Sequence, residues 1–252
     1  LASNWVGLKH FRAFFGGRMF SSVVLNTLIL NCYSLIFAFP LPLVFALMLN
    51  EVRVDWFKKG VQTITYMPHF ISTVVIVGMM KELLSPTNGI VNQILMRMGH
   101  EPIYFFGKAG YFRSLYIISG AWAGTGWGSI VYLAAITAVD VSLYEAATID
   151  GASRLQKIWH VTLPCIRSTF MVMLILRLGQ MLGSDSEKVL LMQTSGNRSV
   201  SELLSTYIYN RGVLNSEYSY STAVGLFNSA VSFLLILVAN TLSRRLTEES
   251  LW

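Results

Sequence analysis

Few residues in this sequence could do chemistry, and most of them stand in one polar connection between apolar runs, at 140–167. Ser142 and Glu145 have the spacing of a capping box, in which the serine caps a first turn and the glutamate reaches back to the serine N–H. A helix is therefore predicted to begin near Leu143. Gly151 breaks that helix, and Ser153 can cap a second one. In the second helix Leu155, Ile158, Trp159 and Thr162 recur at i, i+3, i+4 and i+7, while Arg154, Lys157 and His160 face elsewhere, and Pro164 can stop it. A short helix, a glycine turn and an amphipathic helix suit a docking element, but they equally suit a helix resting on lipid headgroups.

A second group of polar side chains is set within apolar runs. A cation at membrane depth is costly unless it faces water, protein or a partner, so Arg177 must point inward. With Gln180 at i+3 it could offer hydrogen bonds to the hydroxyls or carboxylate of a polar solute, or it could hold spans together. Trp122 and Trp127 could pack between helices or stack on the ring of a solute. Asn26, Asn31 and Tyr33 could line a solute pathway or form buried interhelical hydrogen bonds. Gly120, Gly124 and Gly128, four residues apart, read as a helix-packing stripe. Asp185 and Glu187, near the outer end of the run that holds Arg177, could be gate residues or solvated loop charges.

Several chemistries are absent from the sequence. The one Gly-Lys pair, Gly107-Lys108, is followed by Ala109 and is no phosphate loop. The histidines His10, His69, His100 and His160 show neither an H-E-x-x-H spacing nor a cysteine partner cluster, so no metal site is expected. No G-x-S-x-G elbow occurs, and no catalytic residue is assigned.

The elements that must position these residues follow from composition. Of 252 residues, 54% are hydrophobic and only 13% charged, with a mean hydropathy of +0.54. That charged fraction is too small to cover a soluble surface, and a bilayer becomes the expected solvent. The net charge of +6 is spread along the chain rather than gathered into a nucleic-acid patch. Uncharged runs at about 20–50, 60–80, 114–139, 168–184 and 218–243 predict five transmembrane helices in a single all-α polytopic bundle. Pro40 and Pro42 should kink the first, and Pro68 the second. Cys32 and Cys165 read as small apolar side chains.

Orientation follows from basic residues. Arg53, Lys58, Lys59, Arg154, Lys157, Arg167, Arg244 and Arg245 crowd the short connections 51–60, 140–167 and 244–252, whereas the longer connections carry theirs more sparsely. The amino end is then expected outside and the carboxyl end in the cytoplasm. No signal peptide is visible, and the chain is expected to begin partway into its gene product.

Glu145-Ala146-Ala147, Gly151 after a gap of three, and Leu163-Pro164 resemble the EAA loop of ABC importer permeases. Val161 stands where that pattern has isoleucine. Asn4-Trp5-Val6-Gly7-Leu8, Tyr66-Met67-Pro68-His69-Phe70, Gly126-Trp127-Gly128-Ser129, the run from Tyr218 to Gly225, and Leu251-Trp252 are similar to the LplB-like branch of carbohydrate permeases.

The resemblance implies a type I importer permease fold of six spans, the first of them missing here. It implies a chain in the bacterial plasma membrane that is not itself an enzyme and binds no cofactor, with ATP and magnesium on a partner ATPase. The implied partners are a second homologous permease, a cytoplasmic ATPase dimer, an extracytoplasmic solute-binding protein and membrane lipid, with no nucleic acid. Glu145, Ala146, Ala147, Asp150, Gly151, Val161, Leu163 and Pro164 are the implied coupling residues. The expected cargo is a carbohydrate, in particular an oligosaccharide. The alternatives are an importer of the same type for another solute, a scaffold, or an ATP-independent channel or transporter. A self-sufficient transporter would usually show inverted repeats or intramembrane carboxylates, and neither is found.

Overall fold

Lipid cannot hydrogen-bond a bare backbone, so an apolar chain in a bilayer closes its N–H and C=O groups within helices. The computed structural model describes residues 5–247, which are helix, turn and loop without a strand. Asn4 and Leu251-Trp252, which carry part of the resemblance, lie outside the described residues. In chain order the helices are α1 (Lys9–Phe15), α2 (Met19–Tyr33), α3 (Leu41–Glu51), α4 (Asp55–Tyr66), α5 (Thr73–Leu83), α6 (Ile90–Arg97) and α7 (Ala109–Thr137). They continue as α8 (Val141–Ile149), α9 (Arg154–Lys157), α10 (Leu163–Cys165), α11 (Arg167–Gly179), α12 (Ser186–Met192), α13 (Arg198–Ser201), α14 (Leu204–Tyr209) and α15 (Tyr218–Thr247).

Two stretches, Met19–Glu51 and Tyr218–Thr241, are each long and apolar enough to cross a membrane, and three pairs of helices pass the same test together across a break. Every break has a local cause. Between α2 and α3 the chain widens into a π turn, Ser34–Ala38, just before Pro40 and Pro42, because a proline removes a helical N–H and clashes with the carbonyl four residues back. The run 60–80 is not one straight helix. Pro68 lies in a 3₁₀ turn, Met67–Phe70, after which Ile71 and Ser72 are extended, with ψ of 131° and 147°. The Ser72 hydroxyl then caps α5, accepting from the Val75 N–H at 3.4 Å. Pro164 falls one residue before the end of the continuous run Arg154–Cys165, close to the expected stop. Its missing N–H directly follows the π turn Ile158–Thr162, and the chain bends by 65° at Ile166.

The chain forms two compact units. One comprises the described residues up to Ser34 together with Ser72–Ile117 and Gly179–Leu235. Its first cluster packs Leu30, Val77, Phe106, Phe112, Met192 and Leu203, and its second gathers around Phe14, Val23, Leu204 and Tyr207. Asparagines fasten its loops. Asn92 reaches the carbonyls of Leu84, Ser85 and Ile103, each at 3.0 Å, and Asn197 reaches those of Phe106 and Met192 at 3.0 and 2.9 Å. Lys188 of α12 is buried, donates to the Tyr116 carbonyl at 2.9 Å and lies 4.5 Å from the centre of the Tyr116 ring. Burial pushes its pKa down to about 8, partly opposed by the charge of Asp185.

The other unit comprises Leu35–Ile71, Ile118–Leu178 and the described residues from Ile236 onward. Its core joins Ala46 and Leu49 to Tyr132, Leu133, Ile136 and Ile166. Here α7 crosses α4 closely at Gly126, where a Cβ would run into the Thr65 carbonyl, and Gly128 lies against the Pro42 ring, 3.0 Å from where its own Cβ would stand. The glycine stripe therefore holds at Gly128 and fails at Gly124. Open space surrounds Gly124, and the pair that allows close approach is Gly126 and Gly128, two residues apart.

Candidate coupling loop and pathway residues

The connection 140–167 folds into a braced hairpin of helices. Its first helix, α8, starts at Val141 rather than near Leu143, because Asp140 is the capping residue and its carboxylate accepts from the Ser142 N–H at 2.9 Å. That bond holds the Asp140 pKa below the usual carboxylate range. Ser142 thus lies inside the first turn, and Glu145 is exposed on the helix surface. The carboxylate one residue upstream of the helix was the better signal, since a short acidic side chain caps as well as serine and also complements the helix dipole.

The far end of α8 closes through Gly151, whose φ of +76° lets the chain reverse while the Ala152 N–H reaches back to the Ala147 carbonyl at 2.9 Å. Asp150 is exposed in this turn. Ser153 then caps α9 in a full capping box, with Gln156 Oε1 accepting from the Ser153 N–H at 2.7 Å. The expected apolar face of the second helix does not form as one stripe. A π turn, Ile158–Thr162, adds a residue to the helical turn, so Thr162 is buried while Leu155 and Trp159 stay exposed.

Two side-chain bonds brace the hairpin. The Tyr144 and Thr162 hydroxyls lie 2.9 Å apart, and Lys157 Nζ donates to Thr148 Oγ1 at 2.7 Å. Ala147 is half-buried while Glu145 and Ala146 are exposed, and further on Val161 and Leu163 are half-buried and Pro164 is exposed. Neither brace has a sequence signal, because each depends on how the two helices fold back on one another.

The pathway candidates fall into two kinds. Asn26 and Asn31 are buried and bonded within the protein. The Asn26 amide nitrogen donates to the Ser199 carbonyl at 2.8 Å, its oxygen accepts from Arg113 at 3.2 Å, and Asn31 donates to the Thr27 carbonyl at 3.0 Å. Tyr33, Trp122 and Trp127 are exposed. Trp122 lines an apolar recess of about 370 Å³ with Leu41, Phe45 and Ile64. Trp127 stacks on His69, with ring centres 4.5 Å apart and planes within 3°, and Phe70 meets its edge. The spacing of His69 in the sequence carries no signal for this contact, and only the fold brings it to Trp127. Arg177 is half-buried in α11 and engaged within the protein. Gln180 directly follows the last residue of α11, Gly179, and is exposed in the turn there. Among the described residues no group of three His, Cys, Asp or Glu could hold a metal ion.

Comparison with known proteins places this geometry. Residues 13–248 match the family described as binding-protein-dependent transport system inner membrane component. The chain is 46% identical, over all of its length and 78% of the relative's, to the polygalacturonan/rhamnogalacturonan transport system permease protein YteP of Bacillus subtilis (strain 168). It is 44% identical to the protein LplB of the same organism, over 99% of this chain and 79% of that one. It also superposes with a TM-score of 0.94 and 42% identity on a chain of a bacterial alginate ABC transporter in complex with alginate pentasaccharide-bound periplasmic protein, covering 98% of this chain and 85% of the other. By the whole-length match, the five apolar stretches and the likeness in structure, the chain belongs to the family of binding-protein-dependent transport system inner membrane components.

Proposed function

We propose that the protein is a permease subunit of an ABC importer that carries an oligosaccharide, specifically one rich in uronic acid, into a bacterial cell. Two similar proteins support the cargo class: YteP bears the name of a polygalacturonan/rhamnogalacturonan system, and the structural relative imports the acidic polysaccharide alginate. The observation that carries the mechanism is the braced hairpin at 140–167. Its helix α8 is capped at both ends and bonded to its neighbour, yet leaves Ser142, Glu145 and Ile149 exposed along one face. A rigid helix with a free face can transmit a push, whereas a floppy loop would absorb it.

In this reading ATP and magnesium belong to a cytoplasmic ATPase dimer, and its closure moves α8. Glu145, Ala146, Ala147, Asp150 and Gly151 meet the ATPase, while Val161, Leu163 and Pro164 carry the movement toward α11. Alternating access then turns a cavity outward to a loaded extracytoplasmic binding protein and inward after hydrolysis. A second, homologous permease completes the cavity. The amino end lies outside and the carboxyl end in the cytoplasm. Trp122, Trp127 and Tyr33 offer ring faces for sugars, and Arg177 and Gln180 offer donors to carboxylates and hydroxyls. Asn26 and Asn31, already bonded, hold the bundle.

The test is co-purification of the tagged chain with the ATPase and the partner permease, comparing wild type with Gly151→Trp. Loss of the ATPase alone is the expected result. Equal recovery of the ATPase would remove α8 as the dock, and its absence from both samples would favour the channel or scaffold readings. Stimulation of ATP turnover by binding protein loaded with an oligogalacturonate, and not with a neutral oligosaccharide, tests the cargo class.

A further inference from the structure

Beside the hairpin lies a cleft of about 390 Å³ that the coupling role does not use. Arg53, Arg154 and Lys157 line it, with Glu51 as the carboxylate among its lining residues. Arg154 and Glu51 are 3.9 Å apart and both well exposed, a loose pairing that leaves the cleft with an excess of positive charge. Ile136, Val139 and Ile158 supply apolar lining in the same cleft. Cations and apolar side chains lining one cleft match the chemistry of a phospholipid headgroup joined to its acyl chains.

Depth and direction agree with that occupant. The cleft lies where α3 ends at Glu51 and α7 ends at Thr137, the level at which apolar helices leave hydrocarbon. Trp56 and Trp159, three residues after Arg53 and two after Lys157, are 77% and 67% exposed, as tryptophans are at a headgroup layer. Helix α8 separates the two functions by face. Val141 and Tyr144 line the cleft and Thr148 holds Lys157, while Ser142, Glu145 and Ile149, at i, i+3 and i+7, stand on the adjoining face, the one proposed for the ATPase.

We infer that this cleft binds the phosphate of an anionic phospholipid, with Arg53, Arg154 and Lys157 as its ligands, and so ties the base of the hairpin to the end of α3. The side of the membrane rests on the importer reading; the binding chemistry does not. The full chain in phosphatidylcholine nanodiscs is titrated with brominated phosphatidylglycerol, and quenching is read as the part lost in Trp159→Phe.

Replacing Arg53, Arg154 and Lys157 by Gln should raise the phosphatidylglycerol fraction needed for half-quenching about fivefold per cation removed. Arg53→Lys with Arg154→Lys should stay near wild type, and so should Arg97→Gln on α6. The inference falls if the glutamine variant titrates like wild type, or if brominated phosphatidylcholine quenches at the same fraction. It falls too if inorganic phosphate displaces the lipid where chloride of equal ionic strength does not, which would mark a site for soluble anions. ATP turnover stimulated by loaded binding protein is measured in parallel. Turnover without lipid preference sinks this inference alone, and lipid preference without turnover sinks the importer reading alone.

Discussion

The hydroxyls of Tyr144 and Thr162 meet at 2.9 Å, joining two helices through residues eighteen apart in the chain. Thr162 spends its own hydrogen on the Lys157 carbonyl at 3.4 Å, which leaves the Tyr144 hydroxyl as donor to Thr162. Tyr144→Phe should cost about 1 kcal/mol of stability, since it removes the shorter of the two hydrogen bonds of a buried hydroxyl. In the assembled importer it should lower ATP turnover stimulated by loaded binding protein while basal turnover holds. An unchanged ratio of stimulated to basal turnover would show that the brace plays no part in coupling.

Gly151 turns the chain at φ +76° with open space around its Cβ position, so a substitution there costs backbone strain and no collision. Gly151→Asn should be mild, because asparagine visits this region, while Gly151→Val should lose roughly 1–2 kcal/mol. Thermal unfolding of the two variants decides this. Equal melting temperatures would mean that the turn relaxes to another conformation.

The Asp140 cap stabilises α8 only while the carboxylate is ionised. Its folded pKa lies below the ordinary value of 3.8, so the contribution is full above that value and disappears as pH falls through the folded pKa. Amide exchange at Ser142 should speed up in Asp140→Ala and stay slow in Asp140→Asn, which keeps a capping oxygen without the titration. Fast exchange in both variants would contradict the cap.

Lys188 predicts the same direction of pH dependence in a different window. Its folded pKa of about 8 lies below the ordinary 10.5, so between those values the unfolded chain holds more protons and stability rises with pH. Below about 8 both states are protonated and the contribution is flat. The melting temperature of wild type relative to Lys188→Met should therefore climb across that window. A difference that is constant with pH would place the ammonium in water.

Gly126 and Gly124 make a matched pair on α7. Gly126→Ala forces a methyl into the Thr65 carbonyl and should cost about 1–3 kcal/mol, whereas Gly124→Ala enters open space and should be neutral or slightly stabilising. Melting temperatures in detergent separate the two. Equal effects would mean that α4 and α7 do not pack as described.

The sequence by itself determined what depends on neighbours along the chain. Long uncharged runs dictate helices in a bilayer, because lipid offers the backbone no partner. Gly151 and Ser153 mark a turn and a cap, because a missing Cβ and a short hydroxyl act within three residues. Pro40 and Pro42 announce a disturbed helix for the same local reason. Tertiary structure decided what depends on which helices meet. It chose Gly126 over Gly124 as the close-packing glycine, since only the approach of α4 gives a missing Cβ its use. It paired Tyr144 with Thr162 and His69 with Trp127, buried Asn26 and Asn31 among carbonyls, and ended α11 before Gln180. Side-chain type tells what a residue can bond, but the partner within reach is set by how distant segments pack.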